Sequence, residues 1–255
     1  MNILSFTKEE LDELTNSFSD DELAERYGVT RLAILYHRKK WGIPSCREKN
    51  GWTRNRTDFG SYFDLIDSPA KAYFLGLLAT DGSIDQPKST MTLALHPQDQ
   101  DILEVFIKEL GGHLTIGKKK SARNPTPLCT VRVYRKHMIE TLASWGIVQN
   151  KSLTLEILKP IPTHLERDFV RGVWDGDGTV GRDSFKFVSG SEIFRNQIRE
   201  IILRHTGITL TSSIDRKTYI LFGCRHSSNA LKWMYQDAFP VMSRKAIRVS
   251  RFWGL

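Results

Sequence analysis

The chain has little cysteine: Cys46, Cys129 and Cys224 are three thiols in 255 residues, odd in number and far apart. That excludes a disulfide framework and a CxxC zinc site, and leaves buried or incidental thiols. The seven histidines are scattered, with no HExxH and no paired ligand spacing, so a zinc hydrolase is not expected. No apolar run approaches the roughly 20 residues needed to span a bilayer. The opening MNILSFTKEELDELTNSFSDDEL is acidic, unlike a signal or transit peptide. The expectation is therefore a soluble intracellular protein of cytoplasm or nucleoid, with no membrane partner. Acidic residues are also in short supply, 29 against 37 Lys plus Arg, and the resulting charge of +8 suits a polyanionic partner such as nucleic acid. With 40% hydrophobic residues the chain has enough to bury one large core or two modest ones.

Residues 1–45 hold three short helical patterns, two opened by capping boxes, Thr7 with Glu10 and Ser19 with Glu22. The third begins at Thr30. Within SDDELAERYGVTRLAILYHRKKWGIP, Leu23 and Ala24 point inward, Gly28-Val29-Thr30 forms a turn, and Leu32, Ile34, Leu35 and Trp41 are the apolar positions of the next helix. This is helix-turn-helix spacing. A second helix of that kind lies in the DNA major groove, where Arg31, Tyr36, His37, Arg38, Lys39 and Lys40 would meet bases and phosphates. The alternative is a plain three-helix packing element with a solvated basic face. Residues 46–67 read as a basic linker in which Arg54 and Arg56 could follow a groove.

The rest of the chain repeats itself. KAYFLGLLATDGSI (71–84) and RDFVRGVWDGDGTV (167–180) share an apolar helix pattern, an interior glycine (Gly76, Gly172) and a terminal Asp-Gly-Ser/Thr, 96 residues apart. Gly111 and Gly207 each end a helix 30 residues after the respective aspartate, and Lys151 and Lys245 follow at 70 and 68 residues. Each half, 68–152 and 153–255, reads as helix, two strands, helix, two strands, helix. The strands include STMTLALH, HLTIGKKK and PLCTVRVYR, then SFKFVSG, ITLTSSID and TYILFGCR. Alternation turns Cys129, Val131 and Val133 to one side of their strand, and Ile220, Phe222 and Cys224 form the apolar set of theirs. Trp145, Trp174, Trp233 and Phe239 fit helix positions and are expected in the core. The fold class is α+β: two pseudo-symmetric αββαββα repeats with antiparallel sheets, plus a small all-α N-terminal module.

Phe74-Leu75-Gly76-Leu77-Leu78-Ala79-Thr80-Asp81-Gly82 and Val170-Arg171-Gly172-Val173-Trp174-Asp175-Gly176-Asp177-Gly178 resemble the paired signature of single-chain LAGLIDADG homing endonucleases, over residues 65–255. The first motif helix is expected to begin at Ser68-Pro69 and the second at a Thr163/Glu166 capping box, each ending at a left-handed Gly82 or Gly178. Gly76 and Gly172 would let the two helices approach closely, with Leu75 and Ala79 facing Val173 and Gly176. Asp81 and Asp177 would then meet at helix C-termini, a repulsion that a divalent cation relieves. Hard oxygen donors suit Mg²⁺.

The resemblance implies more. Asp81 and Asp177, with the carbonyls of Thr80 and Gly176, would hold Mg²⁺; Mn²⁺ could substitute, and Ca²⁺ could bind without supporting cleavage. Lys151 and Lys245 match the family's basic residues beside the scissile phosphates. The sheets would form a saddle on double-stranded DNA, read by Lys118, Lys120, Arg132 and Tyr134 and by Lys186, Arg216 and Arg225. The implied protein is an intron-encoded or free-standing monomer that needs no protein partner. It would cut both strands of a long asymmetric target and leave 3′ overhangs. Alternatives are a transcription regulator of the same fold that does not cut, and an intron RNA maturase. Ala79 against Asp175 leaves the two half-sites unequal in metal occupancy or rate. Gln98 and Ser191, at the second helix of each half, could hold water, with simple capping favoured.

Overall fold

The computed structural model describes residues 7–49, 59–112, 114–121, 124–216 and 218–254, so Arg54 and Arg56 lie outside the described residues. The chain divides into two compact units, 1–57 and 58–255.

The first unit contains α1 (Lys8–Leu14), α2 (Asp20–Tyr27), α3 (Arg31–Trp41) and the single turn α4 (Cys46–Lys49). Both capping boxes form: Glu10 and Glu22 each donate a backbone N–H to the Thr7 or Ser19 hydroxyl, and each carboxylate accepts the cap residue's own N–H. Gly28 takes the left-handed conformation that ends α2, and Thr30 caps α3. Leu11, Leu23, Ala24, Ile34 and Ile43 make the core. Leu32 is not in it; it is 74% exposed, on the same side of α3 as the exposed Tyr36.

The second unit holds two successive runs of the same order. The first is α5 (Pro69–Asp81), β1 (Gly82–Asp85), β2 (Thr90–Leu95), α6 (Gln100–Glu109), β3 (Gly117–Ser121), β4 (Asn124–Tyr134) and α7 (Lys136–Ser144). The second is α8 (Glu166–Asp177), β5 (Gly178–Val180), β6 (Ser184–Ser189), α9 (Glu192–Thr206), β7 (Thr211–Asp215), β8 (Thr218–Cys224), α10 (Ser228–Tyr235) and α11 (Ser243–Trp253). Each run builds one four-stranded antiparallel sheet, ordered β1-β2-β4-β3 and β5-β6-β8-β7. The αββαββα expectation is met by the first run, and the second adds one further helix, α11. Phe63 and Ile66, ahead of α5, are already buried in this unit's core.

The motif helices are buried on nearly every side, as is usual for helices at the centre of a core. In the first sheet Cys129, Val131 and Val133 face inward, with Arg132 and Tyr134 outward. In the second the expected phase is reversed: Leu221 is buried opposite the buried Phe187, whereas Phe222 and Cys224 are exposed. Pairing with β6 sets the phase, because a one-residue slip would put Phe187 and Leu221 in solvent. Trp145 and Trp174 are buried and Trp233 is half-buried, but Phe239 lies outside any helix and is exposed.

Candidate active site at paired helix ends

Helices α5 and α8 run parallel and touch through their glycines. A β-carbon on Gly76 would sit 2.9 Å from the Val173 nitrogen, and one on Gly172 would sit 2.9 Å from the Tyr73 carbonyl carbon and 3.0 Å from the Leu77 nitrogen. Only glycine permits backbone-to-backbone approach at both crossings. One turn further on, Gly176 lies against the Thr80 side chain, and its β-carbon would be 3.1 Å from Asp81 Oδ2. The Asp81 carboxylate therefore rests on the last turn of α8, one residue from Asp177.

Two terminus expectations are corrected. Gly82 (φ −74°, ψ 136°) and Gly178 (φ −86°, ψ 158°) are extended, because each begins a strand directly. Their need for glycine is spatial: a β-carbon would lie 2.9 Å from Leu78 Cα or 2.7 Å from Trp174 Cγ. The Thr163/Glu166 capping box does not form either. Residues Thr163–Leu165 make a 3-10 turn, and Glu166 opens α8 with its buried carboxylate 2.6 Å from His205 Nε2 and 3.0 Å from Arg204 Nη2.

Burial first, and the neighbouring Asp177 charge second, push the Asp81 carboxyl up to about 7, against the pull of Lys245 and Lys151. Burial raises Asp177 as well, although the residue as a whole remains exposed, and the same two lysines oppose the shift. Among the described residues neither carboxylate has a hydrogen-bond donor; only burial and charge act on them. Both lysines are buried. Lys151 Nζ donates to the Gly82 carbonyl, and Lys245 Nζ donates to the carbonyls of Gly178 (2.7 Å), Trp174 (2.8 Å), Asp175 and Gly176 (3.3 Å). Each ammonium thus clasps the glycine carbonyl beyond its own repeat's aspartate and sits at the negative end of a helix dipole. Burial pushes Lys245 down to about 8, with the Asp175 and Asp81 charges opposing, and pushes Lys151 down with Asp177 and Asp81 opposing.

Asp175 has a different task. Its buried carboxylate accepts hydrogen bonds from Tyr73 Oη, Tyr235 Oη and the Met242 amide, all at 2.8 Å. The Ala79/Asp175 difference is thus a difference in core wiring, with Asp175 joining α5, α8, α10 and the approach to α11. Arg171, fully buried beside it, donates to the Pro240 and Met234 carbonyls and to Asp168.

Metal fit follows from the donors present. Two carboxylates without hydrogen-bond donors among the described residues and two last-turn carbonyls, Thr80 and Gly176, are hard oxygens at helix ends, the Gly176 carbonyl already accepting from Lys245 at 3.3 Å. Among the described residues no group of three His, Cys, Asp or Glu side chains assembles to hold a metal alone. The residues fit an ion that keeps waters and takes further oxygens from its substrate, as Mg²⁺ does. A cavity of about 150 Å³ opens beside Asp177 and Lys151, with Ser152, Ser189 and Thr218 on its walls.

The remaining candidates separate. Arg31, Lys39 and Lys40 are exposed on α3, but Arg38 is buried in a bidentate pair with Asp20 (2.6 and 2.8 Å) and donates to the Ile43 carbonyl. Arg38 is therefore a packing residue of the first unit, since its place one turn after Ile34 turns it inward. Arg132, Tyr134 and Lys186 stand on the exposed sheet faces. Lys118 is exposed but pairs with the core-facing Cys129, so it shares that residue's side of the sheet and not that of Arg132. Lys120 also lies in β3, and at that residue only the backbone is described. Arg216 sits beyond β7 at φ 45°. Arg225 lies past β8, stacked 4.7 Å over Trp253 and bonded to the Phe252 carbonyl. Ser191 caps α9, whereas Gln98 is exposed in a 3-10 turn and caps nothing; Asp99 holds the N-cap position of α6. Sequence reasoning missed Asp99 and its partner Arg244, although an aspartate ahead of QDILEVF is an N-cap signal.

No protein-family model and no curated protein sequence matches this chain. Solved structures do. The homing endonuclease I-WcaI bound to its DNA recognition sequence aligns with 78% of this chain and 96% of its own, at 10% identity and a TM-score of 0.55. I-DmoI in complex with DNA and Ca aligns with 72% and 97%, at 14% identity and 0.53. Full-length DUF199/WhiA from Thermatoga maritima aligns with 77% and 64%, at 13% identity and 0.49. The second unit has the fold of the LAGLIDADG homing endonucleases.

Proposed function

We propose that this protein is a site-specific endonuclease that makes a metal-dependent double-strand break in a long, asymmetric DNA target and leaves 3′ overhangs. The observation that carries this reading is the pairing of Asp81 and Asp177 at two abutting helix ends, without hydrogen-bond donors among the described residues and flanked by two buried lysines. Burial and mutual repulsion make that arrangement unfavourable unless a cation joins it. Asp81, Asp177 and the carbonyls of Thr80 and Gly176 would hold Mg²⁺, which when bound supplies Lewis-acid stabilisation of charge on the scissile phosphates. Lys151 and Lys245 keep the helix-end carbonyls in place and add positive charge where phosphate charge grows. Arg132, Tyr134 and Lys186 on the exposed sheet faces would contact the duplex, and Arg31, Lys39 and Lys40 on α3 would extend the recognised site. The fold shared with I-WcaI and I-DmoI supports the reading.

One observation favours a second reading, a DNA-binding regulator of this fold that does not cut: Lys245 already donates to the Gly176 carbonyl that a metal would use. A single experiment separates the two. A plasmid library carrying randomised inserts is incubated with the protein in Mg²⁺ or Mn²⁺, and linear products are sequenced. The nuclease reading expects a recurring insert cut with 3′ overhangs, and no product from Asp81→Asn or Asp177→Asn. Specific retention of an insert that stays uncut in both metals would establish the regulator instead.

A further inference from the structure

The two lysines at the candidate site are each carried on a segment anchored to the other repeat. Lys245 lies in the first turn of α11, in the second repeat. The residue before it, Arg244, makes a bidentate pair with Asp99 at the N-cap of α6, in the first repeat (Nε–Oδ1 3.0 Å, Nη2–Oδ2 2.9 Å). Ser243 Oγ also donates to Asp101 (2.5 Å). Asp99 is buried, and the guanidinium supplies its two short hydrogen bonds. Lys151 shows the reverse arrangement. It lies at the end of the first repeat, and the connection that follows it is held by α9 of the second. Ser191 Oγ, at the N-cap of α9, donates to the Leu155 carbonyl (2.6 Å), while Gln197 takes both the amide and the carbonyl of Ile157 (3.0 and 2.9 Å). Gly190 lies so near Ser152 that a β-carbon would strike the Ser152 backbone. Asp99 and Ser191 hold the same place in their repeats, the N-cap of the helix after the second strand. One uses a carboxylate and the other a hydroxyl: Asp99 holds the segment of the second repeat that carries Lys245, and Ser191 holds the connection that runs on from Lys151 at the end of the first.

We propose that Asp99 and Ser191 are positioning residues that fix the opposite repeat's lysine, Lys245 and Lys151 respectively, so that each half of the site is set by both repeats. The catalytic consequence rests on the nuclease reading above; the mechanical one does not. Neither residue touches the reacting phosphate in this role. Each acts by keeping an ammonium on its helix-end carbonyls, and a loss of register of about 1 Å at a reacting centre costs on the order of 100-fold in rate.

The test uses the full chain and two readouts. The first is single-turnover cleavage of a plasmid carrying a target selected as above. Asp99→Ala is expected to slow cleavage roughly 10- to 100-fold while affinity for the same duplex in Ca²⁺ stays within about twofold. In a Lys245→Ala background, Asp99→Ala is expected to slow it no further. A residue acting through Lys245 has nothing left to lose once Lys245 is gone, whereas a general stabiliser or a metal ligand would multiply the defect. Multiplying defects would overturn the proposal. The second readout needs no DNA: amide hydrogen exchange in Asp99→Asn and Ser191→Ala, both milder than truncation of the buried charge. Exchange should quicken across the repeats, at residues 243–246 for Asp99→Asn and at 150–157 for Ser191→Ala. Unchanged exchange in those segments would also overturn the proposal. A wild-type protein that leaves all DNA uncut, with the exchange result intact, would instead remove the nuclease reading and leave the cross-repeat anchoring standing.

Discussion

At the scale of single residues the site is defined by acids whose surroundings disfavour their charge. Asp81 is pushed to about 7 in the folded protein, whereas an aspartate in an unfolded chain titrates near ~3.9. Between those values the native state holds a proton that the unfolded state has released, so stability falls as pH climbs from about 4 to about 7 and stays reduced above it. A divalent cation favours the ionised form and should reverse the loss at pH 7 to 8. Melting temperatures in chelator and in Mg²⁺ should therefore diverge as pH rises. Asp81→Asn should melt higher than wild type in chelator at pH 8 and respond little to Mg²⁺. Equal melting curves for the two proteins across that range would count against a shared, repulsive carboxylate pair. Arg38 shows how a residue's type misleads without its neighbours. In the sequence it stands in a run of basic and aromatic residues, but in the fold it neutralises the largely buried Asp20. Arg38→Ala should destabilise the first unit by about 3 kcal/mol or more, because it strands that carboxylate. Lys39→Ala and Lys40→Ala should change stability by less than about 0.5 kcal/mol, and chemical denaturation of the three variants distinguishes these outcomes.

At the scale of elements, the pairing of α5 with α8 is the feature on which the site depends. Gly76→Ala or Gly172→Ala would place a methyl group against backbone atoms of the facing helix, which cannot turn aside as a side chain can. Each should cost about 3 kcal/mol or more and separate the aspartates, so Mg²⁺ should protect the variants less than wild type in thermal melts. The close approach at the two glycines and the order of elements in each repeat were legible, since a motif repeated at fixed spacing carries its own register. Other elements were harder to read for identifiable reasons. In TYILFGCR both alternating sets contain apolar residues, so period-two reasoning had no contrast, and the phase came from Phe187 on the neighbouring strand. Thr163 and Glu166 have capping-box spacing, but Glu166 is drawn away by Arg204 and His205, nearly forty residues distant in sequence. Phe239 looked like core because it is aromatic, yet it lies in the connection before α11. The Asp99–Arg244 pair joins residues 145 positions apart, and neither has a local pattern that points to the other.

At the scale of the whole molecule, two units with separate cores sit on one chain of net charge +8. If both engage the same duplex, the second binding event is intramolecular, and affinity should exceed that of either unit by far more than the added interface suggests. Salt provides the clearest measure. On B-form DNA the slope of log affinity against log salt steepens by about 0.9 for each phosphate that the protein neutralises. Deleting residues 1–57 leaves the second unit with its own core, so it should still fold and bind. Its slope should be shallower by the number of phosphates that Arg31, Lys39 and Lys40 neutralise, and its footprint shorter at one end. Charge reversal at Lys39 and Lys40 in the full chain should reproduce the slope change without altering where strands break, because the aspartate pair lies in the second unit. An unchanged slope and footprint after deletion would show that the helix-turn-helix-like unit does not touch DNA. Site recognition would then fall to the exposed sheet faces alone.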